Sequence, residues 1–494
     1  MIKKSLFILF TVHCLLFTIV YAADTPAKSK LAKTPEAVEK GKVIYFKRCS
    51  FCHGLLGDGD GPVARQLIPR PRDFTKGLYK FRTTESGELP IDEDLFRVIS
   101  RGIPGTAMQA FDSDMIKNGL SEEERWQVIH YIKTLFPDFE DPEFDPYKAT
   151  VKVAPEIKSS QESIAKGAEI FKEMKCWECH GEGGRGNGPN SPRLKDKFRG
   201  DPILPFDLTK GWRYKAGSSA HDIYMRFNTG LNGTPMPSFS DSLNDEERWH
   251  LANFVVSLQK KEVNKGSVLG VRSVKGDLPD TPDDPAWGNA SSIDVQMAGQ
   301  VIAHPRWENP SIDLVTVKAL YNNNEIAFLL EWGDRFKDTV HKPELEYTVP
   351  QKYEHYVSWE DIPRDIDNFR DSIALQFPVK MAEGIKKPHF LRGDGSNPVN
   401  LWIWKSDLEE TGQPPMEDAN ATDFKQPPKV QSPEGQQVKG KGVWKDGVWS
   451  VVIKRPLVTT DKNDIQFEKG KFIPFSLNAW DGSSGEHNLL MSLS

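Results

Sequence analysis

Cys49-Ser50-Phe51-Cys52-His53 decides how this chain is read, and Cys176-Trp177-Glu178-Cys179-His180 repeats it. Two thiols three positions apart can reach the two vinyl groups on one edge of a porphyrin, and the adjacent histidine then stands under the iron. C-x-x-C-H is therefore the attachment signal of a c-type haem. Zinc is the competing reading, but a structural zinc site takes four protein ligands in a closed cluster. Here each motif is followed by its own Gly-Thr-x-Met segment, Gly105-Thr106-Ala107-Met108 and Gly233-Thr234-Pro235-Met236. Met108 and Met236 lie 59 and 60 residues after the first cysteine of their motifs. A methionine is ordinarily core filler; recurrence in one motif at nearly one spacing makes both candidates for a sixth iron ligand. A thioether opposite imidazole raises the potential and leaves no open position on the iron, so it points to electron carriage. The residues expected to hold two haems c are Cys49, Cys52, Cys176 and Cys179 covalently, with His53, Met108, His180 and Met236 on iron.

The repeat extends on both sides of the motifs. Thr34-Pro35-Glu36 opens a helix with Thr as N-cap and Pro at the first helical position. Val38, Gly41, Ile44 and Tyr45 share one face of that helix, and Ile164, Gly167, Ile170 and Phe171 repeat it, with a glycine small enough to admit close packing. Gly57-Asp58-Gly59-Asp60-Gly61-Pro62 matches Gly184-Arg185-Gly186-Asn187-Gly188-Pro189, and Asp73-Phe74-Thr75-Lys76-Gly77 matches Asp207-Leu208-Thr209-Lys210-Gly211, as loops expected to wrap the haem edge. Ser121 with Glu124, and Asn244 with Glu247, read as capping boxes of a closing helix in each unit. Trp126 and Trp249 follow, most simply as core. These features resemble class I-type cytochrome c domains over residues 34–137 and 160–262.

The chain has 494 residues, room for two or three domains, with 38% hydrophobic and 27% charged residues. A net charge of -6 gives no basic field for nucleic acid. Lys3 and Lys4 precede an apolar run from Leu6 to Val20 that ends in Val20-Tyr21-Ala22, which reads as a signal peptide over residues 1–22. A retained anchor is the alternative, but the run is short for a span of about 20 residues. Of five cysteines, Cys14 lies in that segment and the other four in the two motifs, leaving none for a structural disulfide. A periplasmic or equivalent extracytoplasmic location follows.

Residues 138–159, starting Pro137-Asp138-Phe139-Glu140-Asp141-Pro142-Glu143, read as an acidic, semi-extended spacer. A second linker occupies residues 263–285. Beyond it cysteine is absent and strand patterns replace helical ones, so the fold class is two all-α cytochrome units followed by a β-sandwich over residues 286–494. Ile312, Leu314, Thr316 and Lys318 alternate, Asn322-Asn323-Asn324 turns, and Ile326, Phe328 and Leu330 alternate again. Asp446-Gly447 between Val443-Trp444-Lys445 and Val448-Trp449 is a two-residue hairpin turn. Asp407 to Gly440, rich in Pro, Gln, Glu and Gly, is expected to be a surface excursion.

Phe328-Leu329-Leu330-Glu331-Trp332, Ala374-Leu375-Gln376-Phe377-Pro378, Asn400-Leu401-Trp402-Ile403-Trp404-Lys405, Gly442 to Trp449 with Lys454-Arg455-Pro456-Leu457, and Ala479-Trp480-Asp481-Gly482 occur in that order. Together they resemble the haem b-binding gamma subunit of the type II dimethyl sulfoxide reductase family, such as that of ethylbenzene dehydrogenase. The resemblance implies a sandwich that holds haem b between a methionine and a lysine beside iron–sulfur and molybdopterin subunits. Lys454 matches that lysine as a haem b iron ligand. The family methionine falls in His389-Phe390-Leu391-Arg392, which has none; Met381 or His389 are the substitutes, or haem b is absent. Fusion to c haems is most similar to gamma-type subunits of nitrite oxidoreductases, which pass electrons onward to a cytochrome or other acceptor.

Two other classes compete. Trp402, Trp404, Trp444 and Trp449 could form a sugar platform on a carbohydrate-binding sandwich, and fold likeness alone does not decide function. A dihaem peroxidase would need a displaceable iron ligand, where each unit offers a methionine.

Overall fold

The computed structural model describes residues 31–494 except 142, 261–262, 304–305, 308–309, 344–368, 382–390 and 425. The expected signal peptide and His389 lie outside the described residues.

The first unit consists of α1 (Pro35–Arg48), the single turn α2 (Ser50–His53), α3 (Asp92–Arg101) and α4 (Glu122–Lys133). Thr34 Oγ1 accepts from Ala37 N at 3.1 Å and Pro35 occupies the first turn, so the expected cap forms. Ser121 and Glu124 close their box at the start of α4. The second unit repeats the plan with α5 (Gln161–Glu173), α6 (Trp177–His180), α7 (Ala220–Thr229) and α8 (Asp245–Leu258), the last boxed by Asn244 and Glu247. The helices cross where the glycines stand. A Cβ on Gly41 would overlap the Gln127 carbonyl of α4, and one on Gly167 the His250 carbonyl of α8. Trp126 stacks on Phe96 and Trp249 on Tyr224, each pair at 4.4 Å between ring centroids, as interior residues.

The spacer between the units is bound along its length. After two single 3-10 turns, Val151 N donates to Thr83 O of the first unit at 2.9 Å. Trp249 Nε1 and Asn253 Nδ2 of the second unit then donate to Ala154 O and Ile157 O.

Two sheets form the C-terminal sandwich. One contains β1 (Arg272–Ser273), β2 (Ser292–Gln296), β4 (Leu314–Tyr321), β5 (Glu325–Gly333), β10 (Lys439–Lys445) and β11 (Val448–Pro456); the other contains β3 (Ala298–Gly299), β6 (Ser372–Pro378), β7 (Val399–Lys405), β8 (Met416–Ala421), β9 (Lys429–Val430), β12 (Ser476–Trp480) and β13 (Ser492–Leu493). In the first the order is β1-β4-β5-β11-β10, with β2 also on β4; in the second it is β3-β13-β12-β6-β7-β8-β9. Val315, Val317, Phe328, Leu330, Trp332, Val451 and Ile453 of the first sheet pack onto Ile373, Leu375, Phe377, Trp402, Trp404 and Leu477 of the second. Asp446 and Gly447 take φ of 50° and 79°, the left-handed turn expected of Asp-Gly.

Four expectations change. In β4 the core face is Val315, Val317 and Ala319, not the parity of Leu314, Thr316 and Lys318. A one-residue step exchanges faces, and the outward Thr316 and Lys318 bond Asp294 and Glu331. Asp407 to Gly440 is not an excursion, since it supplies β8, an inner strand between β7 and β9. Its polar residues bond inward and across strands: Asp418, fully buried, accepts from Asn400 at 2.6 Å, and Gln431 Nε2 bonds Asp418, Asn420 and Asp464. Residues 263–285 are no free linker, because β1 pairs with β4 and Leu278 packs on Leu329, Val452 and Trp287. The sugar platform is absent too. Trp402, Trp404 and Trp449 are at most 1% exposed, and half-buried Trp444 donates Nε1 to Asp334 O. The size of these rings places them in the core that joins the sheets.

Candidate haem sites

In each unit the long first helix runs into the single turn carrying C-x-x-C-H, and the following glycine loop folds back on that turn. Gly59 N donates to His53 O at 2.8 Å and Gly61 N to Cys52 O at 3.1 Å; Gly186 N and Gly188 N bond His180 O and Cys179 O at 2.7 and 3.1 Å. Gly61 and Gly188 must be glycines, because a Cβ there would overlap the carbonyls of Phe51 and Glu178.

Each histidine is fixed through its inner nitrogen. His53 Nδ1 lies 2.9 Å from Arg72 O, and His180 Nδ1 lies 3.0 Å from Phe206 O. A carbonyl can only accept, so Nδ1 carries the proton and Nε2 presents a lone pair, the arrangement that orients a metal-binding imidazole. Burial lowers the proton affinity of both rings despite that carbonyl. Both carbonyls precede the repeated Asp-x-Thr turn, where Asp73 and Asp207 each accept from the N–H and hydroxyl of Thr75 or Thr209. The sequence exposed that turn as a repeat but not its task. Its signal was the aspartate itself, since the distance from each histidine differs between the units.

The methionine loops are near copies. Thr106 Oγ1 donates to Ile103 O at 2.8 Å and accepts from Met108 N at 3.1 Å; Thr234 Oγ1 does the same with Leu231 O and Met236 N at 2.8 and 3.2 Å. Ile103 N and Leu231 N close the loops on Met108 O and Met236 O. Gly105 and Gly233 allow the turn at φ of 69° and 79°. Cys49 and Met108 pack against the core of the first unit, Cys176 and Met236 against that of the second. The donor set therefore fits one covalent haem per unit: two thiols, a lone pair on a fixed imidazole, and a thioether on a braced loop.

Both methionine loops stand where the units meet. Arg213 of the second unit donates to Gly105 O at 3.4 Å, and Asn232 Oδ1 accepts from Gly87 N of the first unit at 3.3 Å. Buried Arg82 donates to Thr229 O at 2.6 Å, and Arg226 returns a bond to Arg82 O at 2.7 Å. The second unit also rests on the sandwich. Asp313 accepts from Lys210 at 2.6 Å and Trp212 at 3.1 Å, and Arg335 donates to Pro205 O at 3.3 Å.

Lys454 lies on β11 with its side chain mostly covered, paired with the exposed Asp280. It shares the outer face with Val452 beneath Leu278, while Arg455 enters the interior between Asp418 and Asp464 and over the Trp402 ring. Met381 is 49% exposed.

A pair of C-x-x-C-H turns, each with a carbonyl-bound histidine and a braced methionine loop, defines a tandem cytochrome c. Residues 38–136 and 164–259 match the cytochrome c family, and 284–427 with 412–492 match the ethylbenzene dehydrogenase family. The chain thus joins two cytochrome c domains, which carry covalent haem c, to an ethylbenzene dehydrogenase domain, which suggests haem b. It is 24% identical to a Haloferax mediterranei protein named as a respiratory nitrate reductase haem subunit, across 44% of this chain and 67% of that one. It is also 24% identical to the cbb3-type cytochrome c oxidase subunit CcoP of Helicobacter pylori, across 44% of this chain and 62% of the relative. A chain of the Kuenenia stuttgartiensis reducing HAO-like protein complex is 45% identical, covering 46% of this chain and all of that one, with a TM-score of 0.43.

Proposed function

We propose that this protein is an extracytoplasmic electron-transfer subunit of a molybdopterin oxidoreductase complex, similar to the gamma-type subunits of nitrite oxidoreductases. In this reading Cys49, Cys52, His53 and Met108 hold one haem c, and Cys176, Cys179, His180 and Met236 the other. The chain would turn over no substrate of its own, because Met108 and Met236 would supply a sixth ligand to each iron and leave no open position. The observation that carries the reading is the meeting of the two methionine loops at the interface between units, which brings the two redox centres to adjoining surfaces of one chain. The names of the haloarchaeal and Helicobacter relatives support a respiratory setting, and the order of motifs in the sandwich supports an iron–sulfur and molybdopterin partner. The two C-x-x-C-H motifs support the location, since c-type haem is usually attached outside the cytoplasm. Among the described residues no helix is long and apolar enough to cross a membrane.

Gentle affinity purification from the native host tests this. Co-purification of an iron–sulfur protein and a molybdopterin protein is expected; repeated recovery of the chain alone, or peroxidase-level turnover by it, overturns the reading. Haem b belongs to the same proposal, with Lys454 as one iron ligand. Its amine would have to lose both a proton and Asp280. Acid–acetone extraction of the complex should then release one haem b, and Lys454→Ala should abolish that yield while sparing both haems c.

A further inference from the structure

At one end of the sandwich four carboxylates converge from separate segments. Asp334 follows β5, Asp338 lies in the next loop, Asp371 precedes β6 and Asp481 follows β12, so both sheets contribute. One carboxylate oxygen from each lies within 4.8 Å of all the others. They are 3%, 3%, 0% and 9% exposed. Among the described residues no lysine or arginine comes within ion-pair distance of them; the nearest positive influence is the buried Arg335 guanidinium, which acts on Asp481 and Asp334 through space.

Most of the oxygens are held by donors suited to ionised carboxylates. Asp371 accepts from Trp449 Nε1 at 2.9 Å, Asp338 N at 2.8 Å and Gly482 N at 3.0 Å; Asp338 accepts from Ser483 N at 2.8 Å; Asp481 accepts from Ser483 Oγ at 2.6 Å and from Ser484 N and Oγ at 3.1 and 3.0 Å. Asp334 differs. Trp332 Nε1 reaches its Oδ2 at a long 3.4 Å, and its Oδ1 is buried with no hydrogen-bond partner at all. A buried, unpartnered carboxylate oxygen facing three like charges is costly unless something positive meets it.

We propose that Asp334, Asp338, Asp371 and Asp481 bind one Ca²⁺, which ties the two sheets together and seats the second cytochrome domain. The donors are all oxygen, with no histidine or thiol, so they select a hard cation. Ligand number separates the two common ones: Mg²⁺ keeps several waters and is usually held by one or two carboxylates, whereas Ca²⁺ takes about six to eight oxygens in a flexible shell. Four protein carboxylates whose oxygens all lie within 4.8 Å of one another suit the larger ion.

The link to the haem runs through the backbone. Asp334 N donates to Gly447 O at 2.9 Å, and the Gly447 turn lies against Arg185 and Asn187 of the second haem loop. Arg335, the next residue, bonds Pro205 O, beside the Phe206 carbonyl that fixes His180. An ion that pins Asp334 pins both contacts.

The test uses the full-length, haem-loaded protein purified without chelator. Elemental analysis should find one Ca²⁺ per chain. After EGTA treatment, calorimetric titration with Ca²⁺ alone should show one site, and the melting temperature should rise on its return while equal Mg²⁺ leaves it unchanged. Tb³⁺ should bind there with luminescence sensitised by Trp449. Asp334→Asn should weaken Ca²⁺ at least tenfold yet fold in EGTA like the wild type, since Oδ1 has no hydrogen bond to lose. Should that variant not fold, the wild-type titration still decides. Absence of stoichiometric Ca²⁺ with identical melting in Ca²⁺ and EGTA, or preferential binding of Mg²⁺, overturns the proposal.

Discussion

The two cytochrome domains are alike inside and unlike outside. Inside, the helix crossing on a glycine, the carbonyl that fixes the histidine and the threonine-braced methionine loop recur bond for bond. Outside, the loop after the first motif is Gly54-Leu55-Leu56-Gly57, with Phe51, Leu55 and Leu56 at 62%, 68% and 73% exposed; the second has Gly181-Glu182-Gly183-Gly184 in that place and lies against the sandwich through Arg185, Lys210 and Arg213. Duplication has kept what a haem requires and changed what each copy docks against. The seated copy belongs to the body of the protein, and the free copy shows an apolar rim beside its haem motif.

If the two copies hold haem independently, removing one proximal ligand should cost one haem and no more. His53→Gly and His180→Gly should each lose about half of the covalent haem signal in a pyridine haemochrome assay, and loss of all signal from either would break the comparison. A gentler change separates the copies by potential. Met108→His and Met236→His should each lower one midpoint in voltammetry, within the about 0.8 V over which axial ligands set haem potentials. Two unchanged midpoints would remove the methionines from the iron.

How much of this was legible in the sequence follows from how local each signal is. C-x-x-C-H, the caps of α1, α4 and α8 and the Asp446-Gly447 turn depend on neighbours within a few residues, so they were readable. The glycine crossings were readable because the repeat displayed Gly41 and Gly167 twice. The inner strand β8 was not, because its polar side chains bond Asn400, Gln431 and the Asn463 carbonyl, which lie in other strands and loops. Lys454 and Arg455 make the same point: one step along β11 reverses the face, so that Arg455 enters the interior while Lys454 pairs with Asp280 on the outer face. The acidic cluster was invisible for a similar reason, with its four members spread from residue 334 to 481.

The shared helix crossing offers a finer comparison. Gly41→Ala and Gly167→Ala each force a methyl against a carbonyl of the facing helix, and overpacking of this kind costs about 1–3 kcal/mol. Thermal melts of the two variants should show similar destabilisation. A silent Gly41→Ala with a damaging Gly167→Ala would mean that only the seated copy is tightly crossed.

The most local comparison probes the seat itself. Asp313 joins the sandwich to the second domain, with Lys210 and Trp212 donating to it and Arg213 at 3.3 Å. Burial alone would raise its pKa, but the Lys210 and Arg213 charges, with hydrogen bonds from Lys210 and Trp212, hold it below the ordinary carboxylate range. A carboxylate depressed in the folded state stabilises the protein above its unfolded pKa of about 3.9, and that share is lost as pH falls through the lower folded value. Its side chain is only 14% exposed, so charged hydrogen bonds of about 1.5–3 kcal/mol are at stake. Asp313→Asn should therefore lower the melting temperature near neutral pH, and the gap to wild type should close in strong acid below pH 4. Because among the described residues no such ion pair ties the first domain to the sandwich, the gap should also appear in protease sensitivity between the second domain and the sandwich, not around Leu55 and Leu56. A pH-independent gap would show that Asp313 acts by packing and not by charge.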